Sequence, residues 1–350
     1  MLNFFLTYKW LYWTAPSSEA PPPPPGLERH YINTPSGRIE VLSNQPSNPS
    51  NNKTPIFFIH GGMGSAWVWT EYMQYLARHD VPCYAVSLRG HGNSWHPSYL
   101  RMVYLTTRQN LADDALAAMR WVRERQGSDV LLVGHSSGGG LSQGILSAGQ
   151  ARVKGLALLG AVPGFGSAGV YMNWATFDPW FSIRMLFHGW HPNSPLSHPF
   201  LVRQAFFSST YPEDKLTEFA THANRYESFL WPISMMVPFT RPESILSSIE
   251  GWGADGERLM VMTGTGDKMM TRDIMEGMAE TYRGAFDGLV DAKKLDAKSS
   301  PVAPLEGEGG RDNAGRGVRQ TWVPVAGHHL QNDVTWEVGA KKLLDFYEQL

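Results

Sequence analysis

From residue 55 onward, short apolar runs recur with helix-length stretches between them. The runs are 56–59, 84–88, 130–133, 156–159, 259–262 and 321–325, and the stretches include 66–78, 107–125, 137–149 and 335–348. A strand that is apolar along its whole length must be covered on both faces, and strands alternating with helices join in parallel through crossovers. The pattern therefore predicts an α/β fold: a mostly parallel central sheet flanked by helices. Ahead of it, 28–33 and 38–43 flank the turn residues Thr34-Pro35-Ser36-Gly37 and predict a hairpin. Residues 44–54 are polar and predict a solvated loop, in which the sequon Asn52-Lys53-Thr54 is given no weight without a secretion signal.

Composition sets the outer limits. The chain has 350 residues, 42% hydrophobic and 18% charged, enough apolar material for a large core and too little charge for a disordered chain. A formal net charge of −2 offers no global attraction for nucleic acid or anionic membrane. The lone cysteine, Cys83, excludes an internal disulfide framework and a cysteine-based zinc site.

Two regions interrupt the rhythm. Residues 165–240 carry 10 of the 16 Phe together with Trp174, Trp180, Trp190 and Trp231, among helical stretches such as 201–207 and 213–225 broken by prolines. They predict a helical insertion rather than another strand. Residues 290–318 are polar and Gly-rich and predict a long flexible surface loop. The expected organisation is an apolar N-terminal segment and Pro-rich spacer (1–26), a first core part (27–164), a helical insertion (165–250) and a second core part (251–350). Residues 1–16 hold Lys9 as their only charge and fall short of the roughly 20 apolar residues of a spanning helix. The expectation is a helix packed on the body of a cytoplasmic protein, with peripheral contact to a membrane surface as the alternative.

The chemistry-bearing pattern is Gly134-His135-Ser136-Ser137-Gly138, a G-x-S-x-G. A second match, Gly140-Leu141-Ser142-Gln143-Gly144, shows how weak that pattern is alone. Context separates them. Ser136 follows a buried strand and opens a helix, the strand–turn–helix setting of a nucleophile elbow, whereas Ser142 falls mid-helix. A serine hydroxyl needs an imidazole to take its proton and a carboxylate to hold that imidazole. Asp267, in Thr263-Gly264-Thr265-Gly266-Asp267, follows the run 259–262 and is the expected acid. Asp255 precedes that strand, Asp273 falls in the next helix, and 161–169 contains no acid. His328, after the run 321–325, is the expected base, with its neighbour His329 as the alternative. Two N–H donors are needed for an oxyanion: Ser137 after the nucleophile, and Gly62 (Met63 second) in the turn His60-Gly61-Gly62-Met63-Gly64.

These segments, 60-HGGMG-64, 87-SLRGHGNS-94, 134-GHSSGG-139, 264-GTGD-267 and 327-GH-328, resemble in content and order the α/β-hydrolase superfamily, in its lid-bearing serine hydrolase branch. The resemblance covers roughly residues 28–349. It implies the α/β-hydrolase fold, a helical cap formed by the insertion after the sixth strand, structural places for Arg89 and His91, and no metal or organic cofactor. Serine at the elbow argues against the epoxide hydrolases and haloalkane dehalogenases, whose nucleophile is a carboxylate. Met63-Gly64 in place of Pro-Gly argues against the proline iminopeptidases. The expected activity is hydrolysis of a carboxylic ester or lactone of an apolar small molecule. Carbon–carbon cleavage, thioester hydrolysis and acyl transfer are alternatives on the same residues. His188, His191, Glu227 and Ser228 are the polar contacts the insertion could offer a substrate.

Overall fold

The structure is a computed structural model that describes residues 7–16, 20–46, 53–254, 256–306 and 311–350. Its centre is a sheet with the order β1-β2-β4-β3-β5-β6-β7-β10-β9-β8. The strands are β1 (Leu27–Thr34), β2 (Gly37–Asn44), β3 (Ile56–Ile59), β4 (Cys83–Ser87), β5 (Leu131–His135), β6 (Gly155–Leu159), β7 (Leu259–Gly264), β8 (Ala303–Pro304), β9 (Asn313–Gly315) and β10 (Val318–Val323). The run β4-β3-β5-β6-β7-β10 is parallel, and the ladders at both edges are antiparallel. This is the α/β-hydrolase architecture that the motifs resemble.

Alternation along the central strands feeds two cores. Phe57, Ile59 and Leu132 pack on one face of the sheet, and Ile56, Phe58, Leu131 and Val133 on the other. The second core is closed by α1 (Thr70–Ala77) and the C-terminal helix Trp336–Tyr347. The first is closed by α3 (Arg108–Gln126), α4 (Ser137–Ser147) and the helix Arg272–Asp291. Each fully buried side chain of this size stabilises the fold by about 1.5–3 kcal/mol, so neither face could be left uncovered. A short helix that the sequence pattern does not predict, α2 (Tyr99–Leu105), buries Met102 and Val103 behind Pro97-Ser98.

Between β6 and β7 the chain forms α5 (Ala168–Phe177), α6 (Phe181–Phe187), α7 (Pro199–Phe206), α8 (Glu213–His222), α9 (Leu230–Ile233) and α10 (Pro242–Ser247). After β7 come α11 (Arg272–Asp291) and α12 (Trp336–Tyr347). Because β3, β5, β6, β7 and β10 run parallel, the loops after them gather at one edge of the sheet, and the insertion leaves from the same edge. In open α/β sheets that edge is where ligands bind.

Three expectations need correction. Residues 290–318 are not simply a loop: β8 and β9 extend the sheet there as an antiparallel edge, and β10 begins at Val318, because that strand pairs with β7 from Val318↔Leu259 to Val323↔Gly264. Residues 307–310 of this stretch lie outside the described residues. Residues 7–16 form a turn closed by Leu11 N–H to the Tyr8 carbonyl (3.0 Å), not a helix; residues 1–6 lie outside the description. Beta-branched and aromatic residues followed by Pro16 give that segment low helix propensity. It lies against the insertion, with the Tyr8 hydroxyl donating to the Phe187 carbonyl (2.8 Å) and Leu11 buried. Finally, β5 runs two residues further than the apolar pattern, carrying His135 up to Ser136. Among the described residues no helix is long and apolar enough to cross a membrane.

Candidate active site

Ser136 sits between β5 and α4 at φ 52°, ψ −124°. A non-glycine residue rarely adopts this conformation, and it persists only where the surroundings enforce it. Here the Ser136 N–H donates to the Leu159 carbonyl (3.1 Å), and its own carbonyl accepts from Gly140 N–H (3.1 Å) and Val162 N–H (3.0 Å). The turn also needs a residue without Cβ at 138, since a side chain there would run into the backbone of Ile59 and His60. Ser142 lies inside α4, fully buried, and its hydroxyl donates back to the Gly138 carbonyl at 2.8 Å.

The loops after β7 and β10 bring Asp267 and His328 to Ser136. His328 Nε2 lies 2.9 Å from Ser136 Oγ, and His328 Nδ1 lies 2.8 Å from Asp267 Oδ2. With Nδ1–H donating to the carboxylate, Nε2 is left to accept the serine proton. The other carboxylate oxygen of Asp267 accepts from the N–H groups of Met269 and Met270, both at 2.9 Å. Gly160, at φ +47°, turns the chain after β6 beside this pair in a conformation that favours glycine. Of the rival acids, Asp273 lies in the first turn of α11, and Asp255 lies outside the described residues. His329 packs among Phe206, Phe207 and Phe219. Burial, and then the neighbouring His328, push its pKa down to about 3.

The turn after β3 faces Ser136 from the other side. Its Gly62 N–H makes no hydrogen bond to any described residue, and as the first residue of α4, Ser137 has no helical partner for its own N–H. Met63 N–H, the second choice for an oxyanion donor, is engaged elsewhere: it donates to Glu227 Oε2 at 2.9 Å.

Two supporting residues carry no signal in the sequence pattern. His135 Nε2 donates to the His328 carbonyl (2.9 Å), tying the loop after β10 to the residue before Ser136. Asp333 accepts from Gly327 N–H, Ser208 N–H and the Ser208 hydroxyl, each at 2.7 Å, and so braces the same loop against the insertion. Distance in chain hid the contacts of His135 with His328 and of Asp333 with Ser208. Of the four polar residues expected in the insertion, Glu227 and Ser228 border the cavity above Ser136. His188 lies beside the Ser194 hydroxyl (3.0 Å), and His191 donates to the Tyr12 carbonyl (2.9 Å), both away from it.

That cavity holds about 460 Å³ and is lined mainly by apolar side chains, among them Trp174, Phe181, Met185, Phe229 and Trp231 from the insertion. A hydroxyl, an imidazole and a carboxylate in hydrogen-bonded series, at the floor of such a space, can move a proton off the hydroxyl while charge develops beside two N–H groups. A model of the alpha/beta hydrolase family matches residues 56–331. The chain belongs to the alpha/beta hydrolase family.

Solved structures of other α/β-hydrolases share the fold at low identity. A bacterial membrane phospholipase A described as a virulence factor superposes with a TM-score of 0.60 at 16% identity, covering 92% of this chain and 86% of that one. A thermophilic esterase from Thermogutta terrifontis gives 0.55 at 14%, over 92% and 98%. The 2-hydroxy-6-oxo-6-phenylhexa-2,4-dienoate hydrolase of Rhodococcus sp. strain RHA1 gives 0.57 at 15%, over 92% and 99%. In this α/β-hydrolase the segment 87-SLRGHGNS-94 does two different things. Arg89 makes a two-pronged ion pair with Asp114 (2.7 and 2.7 Å), while His91 Nε2 reaches Glu227 Oε2 at 2.8 Å.

Proposed function

We propose that this α/β-hydrolase cleaves a carboxylic ester or lactone of a neutral, apolar small molecule through an acyl-enzyme on Ser136. The observation that carries the reading is the continuous series Ser136 Oγ–His328 Nε2–His328 Nδ1–Asp267 Oδ2 opening into the apolar cavity. His328 takes the hydroxyl proton as Oγ bonds to the carbonyl carbon. The carbonyl oxygen, now anionic, accepts from Gly62 and Ser137 N–H. Collapse of this intermediate expels the alkoxide, which leaves with the proton from His328. Water, deprotonated by the same imidazole, then attacks the acyl carbon and frees Ser136. Asp267 keeps the imidazole oriented and stabilises its charged form. The inserted helices, with their aromatic and methionine side chains over the cavity, act as the cap. Among the described residues no lysine or arginine borders the cavity to pair with an anionic substrate such as a dienoate or a coenzyme A thioester, which favours a neutral ester.

A fluorophosphonate probe tests the assignment. Wild type and Ser142→Ala should be labelled and Ser136→Ala should not, with ester turnover in Ser136→Ala lowered by about ten-thousand-fold or more. Labelling that survives Ser136→Ala overturns it. In a p-nitrophenyl ester series, each added methylene buried in the cavity contributes about 0.8 kcal/mol, or about fourfold in kcat/KM, until the space is filled. A flat series would remove the apolar-substrate reading.

A further inference from the structure

Glu227 lies between α8 and α9 in the insertion and borders the cavity, yet its carboxylate is turned to the protein. Oε2 accepts from Met63 N–H (2.9 Å) and faces His91 Nε2 (2.8 Å), and Oε1 accepts from Ser228 N–H (2.8 Å). Three residues earlier, Asn224 N–H donates to the Met63 carbonyl at 2.8 Å. Both peptide groups of Met63 are therefore held by one short segment of the insertion. Met63 needs such holding, because its φ of +63° is uncommon for a residue with a side chain and carries a conformational cost. The neighbouring Gly61 carbonyl closes the turn by accepting from Gly64 N–H at 3.2 Å.

We infer that Glu227, clamped by His91, is a positioning residue that holds the Gly61–Gly64 turn with Gly62 N–H aimed at the site above Ser136. The inference rests on the serine hydrolase reading and extends it, by making the oxyanion donor dependent on the insertion. The charge state of the clamp follows from geometry. His91 Nδ1 faces the Arg89 carbonyl at 2.9 Å while Nε2 faces the Glu227 carboxylate. Both ring nitrogens thus point at acceptors, which only an imidazolium satisfies. Burial is the largest single influence and opposes that charge, but the Glu227 charge and hydrogen bond, the Arg89 carbonyl and the Asp114 charge together raise the His91 pKa. The resulting pair is neutral overall. That matters because a bare carboxylate this near would oppose an oxyanion: a Cβ at Gly62 would lie only 3.7 Å from Glu227 Oε2. The segment is itself pinned from outside, with the Asn193 side chain donating to the Asn224 carbonyl (2.6 Å) and Arg225 reaching the Ala15 carbonyl (3.2 Å).

The test compares wild type with Glu227→Ala, Glu227→Gln, His91→Gln, the double variant Glu227→Gln/His91→Gln and the exposed control Glu243→Gln. It uses p-nitrophenyl ester kinetics, thermal melting, and hydrogen exchange of the peptide spanning residues 60–66. Glu227→Ala should lower kcat by about 30- to 100-fold with KM within about threefold, the pattern of a donor needed chiefly in the transition state. Glu227→Gln, which keeps an acceptor for Met63 N–H, should recover most of that loss. His91→Gln, which leaves the carboxylate unbalanced, should be slower than the double variant. Exchange over residues 60–66 should quicken in Glu227→Ala and not in Glu243→Gln. A kcat for Glu227→Ala within twofold of wild type, or a loss carried by KM alone, overturns the inference. Should wild type hydrolyse no ester, the function reading fails and exchange decides this one: quicker exchange in Glu227→Ala supports the clamp, and unchanged exchange removes it.

Discussion

At the scale of single residues, the roles divide between those that a local pattern marks and those that only the fold brings in. Asp267 is marked by its place after an apolar strand, and its carboxylate accepts three hydrogen bonds, from Met269 N–H, Met270 N–H and His328 Nδ1–H. Asp267→Asn keeps the shape but reverses what one side-chain terminus can do: an amide nitrogen opposite Nδ1 would force the other tautomer on His328. The expected loss in kcat is roughly ten-thousand-fold at neutral pH, with KM little changed, measured by steady-state ester hydrolysis. A loss below tenfold would show that another group orients the imidazole. Asp333 and His135 are not marked by any pattern, because their partners Ser208 and His328 are neighbours only after folding. His91 was expected in a structural place, and its pairing with Glu227 was out of reach for the same reason: 136 residues separate the two.

At the scale of elements, strands were legible wherever both faces are buried, since an apolar run is then unbroken, as at 56–59. They were illegible at the sheet edge. β9 reads Asn313-Ala314-Gly315 and has no apolar signature, because it is only three residues long, paired between β10 and the two-residue edge strand β8; only Gly315-Arg316-Gly317 hints at the turn into β10. What holds this edge is a buried ion pair. Lys342 Nζ on α12 meets Asp312 Oδ2 at 2.5 Å, and Asp312 Oδ1 accepts from Trp322 N–H at 3.0 Å. Asp312→Ala removes a counter-charge from beside a lysine that is 5% exposed. It should therefore cost about 3–5 kcal/mol by urea denaturation, and Asp312/Lys342→Met together should cost less than the single change. A cost under 1 kcal/mol would mean that the edge is held by packing alone. The insertion sits between these cases. Its helical character was legible from spacing and prolines, while the arrangement of its short helices was not, because they share aromatic contacts with the body instead of forming a core of their own.

For the whole molecule, the order of motifs along the chain is the most informative feature: it alone places strands, crossover helices and the insertion in an α/β-hydrolase frame. Histidine burial is a property of that assembled frame which no single motif carries. His60 and His135 are buried and their pKa values are lowered well below the ordinary value. His329 is pushed to about 3, and His96 and His191 to about 4. Desolvation is the largest cause in every case. Each is neutral in the folded protein and can take a proton only by giving up burial. In the unfolded chain these side chains titrate near 6.5, so between roughly pH 6.5 and 4 the unfolded state binds more protons than the folded one. Stability then falls as pH is lowered through that window. His91 works the other way: its raised pKa contributes stability below about 6.5, which is lost as pH rises through the folded value. Glu71 and Asp114, whose carboxyl pKa values burial raises, act in the same direction as His91 toward the acid end of the window, but the five imidazoles outnumber these three, and the free energy of unfolding should decline from pH 7 to pH 4.5 in denaturant titrations. His329→Gln, which keeps a polar group beside Asn332 but cannot titrate, should make that decline shallower. A slope unchanged by His329→Gln would mean that this imidazole takes up its proton as readily in the folded protein as in the unfolded chain, in conflict with its place among Phe206, Phe207 and Phe219.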